Sequence, residues 1–206
     1  GEYRQLVDIT RVNKGSFDAH WISYNHPWFA DEKVKRLLEK SAARAQIARA
    51  ADILASDQQG VTLGHGSHLI GGVDANDRER LVIPDDAYAV GRRGERMGDF
   101  CPRSPFVLAR EEWYVEQMCR IQRPAALWLD DDLRNGIWKP DACFCDRCIA
   151  AFNAETGRNV TREELVGRLF GGKEVDDVRS DWFAFNERSL ALFAAAARRG
   201  ANKVDP

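Results

Sequence analysis

Apolar positions along this chain fall into two periods, one helical and one extended. After Asp31, which can cap a helix, Val34, Leu37, Leu38, Ala42, Ala45, Ile47, Ala48, Ala51 and Leu54 supply a helical face running to about Ala55. Ser104-Pro105 opens a second helix to about Gln122, proline being well tolerated at the first helical position. A short helix is expected from Asp146 to Ala154, stopped by Gly157, and Thr161-Arg162-Glu163-Glu164 spells a capping box for another. The last helix should run from Val178 to about Arg199, with Trp182, Phe185, Ser189, Leu192 and Ala196 down one face.

Strand-like runs separate these helices. Leu6 to Thr10, Val61 to His65 and Ala125 to Asp130 each read as a short strand, the last after the helix breaker Pro124. Residues 17–29 are aromatic and polar, while 73–104 carry many charges without a period and read as an irregular excursion. A loop that long is unusual in a compact domain unless it is functional or pinned. Strands alternating with helices imply parallel pairing. The expectation is a single α/β domain, or a fragment of one, over residues 1–206. Three βα units suit a half barrel or small open sheet better than a closed eight-stranded barrel, which takes about 250 residues.

Composition narrows the function classes. The chain is 44% hydrophobic and 30% charged, as ordinary globular proteins are. Its formal charge of −2 leaves no electrostatic footprint for nucleic acid. No apolar run approaches the roughly 20 residues that span a bilayer, so no membrane partner is expected. Gly1-Glu2-Tyr3-Arg4 does not open a signal segment.

The placement of the cysteines carries the strongest chemical signal in the sequence. Cys101 is followed, after 41 intervening residues, by Cys143-Phe144-Cys145-Asp146-Arg147-Cys148. Three thiols on one turn and a fourth from a distant segment suit a closed tetrahedral metal site, with zinc the expected structural ion. Disulfides or free thiols are the competing reading, although Cys143 and Cys145 are too close in sequence to pair comfortably. Such a site would pin the loop region around 99–150. Metal-holding thiolates are commoner in reducing compartments, which points towards the cytoplasm. Cys119 lies among apolar residues at helical spacing and reads as a buried, inert thiol.

Candidate chemistry gathers where strands end. Asp130-Asp131-Asp132 and Arg134 follow the third strand, the position where α/β barrels build active sites. Three adjacent carboxylates repel one another, so one is expected to hold its proton, as a general acid must. A solvated acidic loop is the plainer reading. His65 and His68 occupy the equivalent place after the second strand and are candidate ligand contacts. A second metal site built from these histidines and the three aspartates is conceivable. Trp21, Trp28 and Trp138 could stack on sugar faces, with core packing the better reading for Trp28. The order Gly-x-Gly-x4-Gly-Gly from Gly64 to Gly72 lacks the Lys-Ser/Thr ending of a phosphate loop.

Three segments together, 99–105, 128–132 and 143–152, resemble the catalytic (β/α)8 barrel of family 42 glycoside hydrolases, the β-galactosidase-like enzymes. The wider pattern is also similar to an uncharacterised group of glycosidase-like barrels. The resemblance implies a structural zinc at Cys101, Cys143, Cys145 and Cys148, a carbohydrate substrate, and an N-terminal part of the barrel in this chain. It places Asp132 at the acid/base and Asp131 at the position that touches the sugar 2-hydroxyl; by position in the chain, Asp130, Asp131 and Arg134 are expected to shape the pocket and His65, His68 and Trp138 to contact the substrate. The family carries Asp-Asn-Glu where this chain has Asp130-Asp131-Asp132. The nucleophile would lie on a later strand, so a homo-oligomer or the remainder of the barrel is expected to complete the sheet. A non-catalytic carbohydrate-binding or scaffold protein of the same fold is the alternative.

Overall fold

The computed structural model describes residues 2–12, 18–25, 27–64, 81–129, 133–134, 142–172 and 177–206. Its elements in chain order are α1 (Glu2–Val12), β1 (Ala19–Asn25), α2 (Asp31–Arg49), β2 (Leu54–Gln59), a 3-10 turn (Asp85–Ala87), β3 (Tyr88–Val90), β4 (Arg96–Phe100), α3 (Pro105–Ile121), β5 (Leu127–Leu129), α4 (Asp146–Thr156), α5 (Arg162–Phe170) and α6 (Asp177–Asn202). The fold is mixed α/β. A three-stranded parallel sheet has the order β1-β2-β5, and β3 and β4 form a separate antiparallel hairpin.

Two strand expectations are overturned. Leu6 to Thr10 lies in α1, where Val7 is buried with Ala45 and Ala48 of α2 and with Ile22 and Ala55 of the sheet. The first strand is instead the aromatic segment at β1. The second strand lies at Leu54–Gln59 rather than Val61 to His65, because α2 stops at Arg49 and the chain turns at Asp52, whose φ is +58°. Val61 and Leu63 are buried after that strand, beside Trp28, Phe100, Val107 and Phe193. Part of the expected irregular excursion is the β3–β4 hairpin, turned through Gly94 at φ +82°.

The two faces of the parallel sheet differ. Ala55, Asp57 and Gln59 alternate along β2 and are buried, and Leu127 and Leu129 of β5 pack into a cluster with Val34 and Leu38 of α2 and Tyr114, Val115 and Met118 of α3. The opposite face carries Leu54, Trp21 and Trp128, each more than half exposed. Trp21 is in register with Ser56 and Trp128 with Gln58, which brings the two indoles within 5.8 Å across β2.

Under the covered face, Glu111 of α3 is fully buried, and its Oε2 accepts a hydrogen bond from Gln59 Nε2 at 2.9 Å. Burial pushes the Glu111 carboxyl up to about 8 against the lesser opposing pull of that hydrogen bond, so it is neutral at pH 7. α3 and α6 cross closely at Gly200, where a Cβ would stand 2.3 Å from the Glu112 carbonyl oxygen. Along α6, Trp182, Phe185, Ser189 and Ala196 are buried as expected, and Phe193 takes the place on that face expected of Leu192, which is 38% exposed.

Candidate metal centre

The fourth thiol reaches the site through the hairpin. Cys101 follows Phe100, the last residue of β4, and its N–H donates to Ala87 O at 2.8 Å. The Ser104 N–H closes a turn onto Cys101 O just before α3 begins. Phe144 N–H donates to Val90 O at 2.8 Å, tying the three-cysteine segment to β3. Cys145 then caps α4, leaving Cys148 in the first turn of that helix.

An aromatic core supports this knot from behind. Phe144 is fully buried and stacks on Trp182 of α6, with ring centroids 5.0 Å apart and planes at 21°. Phe152 meets Trp182 and Phe185 edge-on, and Trp182 stacks on Phe185. Arginines hold the periphery. Arg162 donates to Phe144 O and to Asp146, and Arg147 donates to the carbonyl and carboxylate of Asp86 at 3.1 and 2.9 Å. Arg103 lies over the Phe185 ring and reaches Ser189 and Glu155.

The ligand atoms of Cys101, Cys143, Cys145 and Cys148 all lie within 4.8 Å of one another. Cys101 Sγ is 3.6 Å from Cys148 Sγ and 3.7 Å from Cys145 Sγ. A tetrahedron of sulfurs with metal–sulfur bonds of about 2.3 Å has edges of about 3.8 Å, so the spacing matches a coordinated ion. A disulfide would need sulfurs about 2.05 Å apart, and all five cysteines are free thiols. Three of the four ligands are buried and Cys145 is half-buried. Hydrogen bonding among the thiols splits them: it shifts Cys101 and Cys145 down and Cys143 and Cys148 up. The residues fit one metal ion bound by four protein ligands, an arrangement that closes the coordination sphere and leaves no position for substrate.

Other expected site residues fare differently. Asp130, Asp131, Asp132, His65, His68 and Trp138 lie outside the described residues. Arg134 is described and exposed. Trp28 is core, its Nε1 donating to Thr62 O at 3.0 Å, whereas Trp21 is exposed on the open sheet face. Cys119 is half-buried on α3, and burial raises its thiol, in keeping with an inert role. Sequence reasoning missed Arg147 and Asp86 beside the thiols. The Asp-Arg pair inside the cysteine loop was the available signal.

Among the described residues, no helix is long and apolar enough to cross a membrane. No family model matches the chain, and no curated protein matches it.

Proposed function

We propose that the chain is the N-terminal part of a glycoside-hydrolase-like (β/α)8 barrel acting on a carbohydrate, with a structural zinc ion held by Cys101, Cys143, Cys145 and Cys148. The reading rests above all on β5. This strand pairs in parallel with β2, and its last residue, Leu129, is followed at once by Asp130-Asp131-Asp132. Carboxylates at the C-terminal ends of parallel strands are where barrel enzymes place their chemistry.

The barrel part of the reading draws on the uncovered sheet face. Parallel sheets are ordinarily buried on both sides, yet Trp21, Leu54 and Trp128 stand exposed on one. Further strands closing into a barrel would bury them as the inward-facing layer. Zinc is favoured by the four soft thiolate ligands and their tetrahedral spacing. Bound there, it would fasten the β3–β4 hairpin to the start of α4 and take no part in catalysis.

Asp132 is the proposed acid, with Asp131, Asp130 and Arg134 shaping the pocket and His65, His68 and Trp138 contacting the sugar. Hydrolysis of aryl glycosides by the full-length protein, compared with Asp132→Asn, tests the assignment. A fall of about 100-fold or more is expected for loss of an acid catalyst, and equal rates would overturn it. Asp131 and Asp132 standing where the resembled enzymes carry Asn and Glu favours a second reading, a carbohydrate-binding protein without turnover. Glycan binding with no hydrolysis would select it.

A further inference from the structure

We propose that Arg147 is a positioning residue of the metal centre: its guanidinium, anchored by Asp86, offsets the charge of the bound tetrathiolate and holds Cys101 in place. The inference rests on reading the four cysteines as a metal site.

A divalent ion bound by four thiolates leaves a net charge of −2 in a largely buried knot, and such charge requires compensation. Arg147 lies between Cys145 and Cys148 in sequence, and its side chain reaches out to Asp86, in the turn just before the hairpin. Its fixed positive charge sits on the residue between the ligands, one position before Cys148 and two after Cys145. Its NH1 and NH2 donate to Asp86 O and Oδ2 at 3.1 and 2.9 Å. Asp86 belongs to the 3-10 turn, and the next residue, Ala87, accepts the Cys101 N–H through its carbonyl at 2.8 Å.

One guanidinium thus ties the cysteine loop to the turn before β3, and that turn itself holds the backbone of Cys101. The other two arginines at this periphery are engaged elsewhere, Arg162 with Phe144 O and Asp146 and Arg103 with Ser189 and Glu155. Arginine suits the task because its planar fork can serve the carbonyl and the carboxylate of Asp86 together and never loses its charge. Lysine would keep the charge without the fork. Partners just outside the ligand sphere orient metal ligands and typically contribute 10–100-fold to affinity.

The test uses the whole chain loaded with Zn2+ or Co2+. Zinc affinity is measured by competition with a chromophoric chelator, and the sulfur-to-cobalt charge-transfer bands are recorded for the wild type, Arg147→Gln, Arg147→Lys and the remote control Arg199→Gln. Arg147→Gln should bind zinc about 10–100-fold more weakly. Its charge-transfer bands should move to lower energy, because thiolates without a cation donate electrons more readily. Arg147→Lys should fall between these limits, and it carries the same test if the glutamine variant does not fold. Arg199→Gln, whose side chain is ion-paired with Glu112 on α3, should match the wild type. Unchanged affinity and unchanged bands in the Arg147 variants would reduce the residue to a surface ion pair and overturn the proposal. A wild-type chain that binds neither ion would refute the metal reading itself, a distinguishable result.

Discussion

Replacing Glu111 by glutamine should remove a built-in alkaline weakness of the fold. In the folded chain burial raises the Glu111 carboxyl from 4.5 to about 8, whereas the unfolded chain leaves it near its ordinary value. Below about pH 4.5 both states hold the proton. Between about pH 4.5 and 8 only the folded state does, so its advantage shrinks as pH rises and is lost above 8. The full span corresponds to about 5 kcal/mol, at about 1.4 kcal/mol for each pH unit of displacement. Glutamine cannot ionise, and its carbonyl can still accept from Gln59 Nε2. Urea melts of both proteins at about pH 5.5 and 8.5 isolate the effect, because titration of the cysteine cluster is common to both and cancels in the difference. The variant should gain about 3 kcal/mol relative to the wild type across that window. Parallel pH profiles would refute the assignment of a buried, protonated Glu111.

Metal analysis should find one ion per chain at the four cysteines, and stripping it with a strong chelator should lower Tm by roughly 10 °C or more, as structural zinc sites contribute directly to folding. Gly200→Ala drives a methyl group into the Glu112 carbonyl oxygen and should destabilise by about 1–3 kcal/mol in denaturant melts. Thr161→Ala removes the hydroxyl that accepts the Glu164 N–H and breaks a complete capping box at α5. A loss of about 1 kcal/mol is expected in the same assay.

Legibility in the sequence followed the physics of each segment. α3, α4 and α5 are readable because their starts and stops are local: Pro105 at a first turn, Gly157 in a left-handed C-cap, the Thr161–Glu164 box. The four metal ligands were readable because thiol spacing carries geometric meaning without a fold. β2 was displaced because Asp57 and Gln59 look solvent-facing in sequence, whereas both are fully buried at the helix interface with Glu111 and Tyr114. Hydropathy cannot reveal a polar residue whose partner lies on a distant helix. α1 reads as a strand in sequence because Val7 and Ile9 favour strands intrinsically, a preference that packing of Val7 against α2 overrides. The β3–β4 hairpin was hidden by its charged turn, Gly91 to Glu95, and by strands of only three and five residues.

The metal knot also bears on the order in which the chain assembles. Cys101 and Cys143 bracket residues 102–142, a stretch that holds all of α3 and β5. A metal ion bound at these thiols would tie the two ends of that helix–strand unit into a noose whose closure does not wait for the sheet. β5 must find β2, which precedes the noose by a long stretch of chain, and loop-closure entropy makes such a search slow. Metal supplied at the start of refolding would shrink the ensemble through which β5 searches, whereas metal supplied late would leave β5 to find β2 from the open chain.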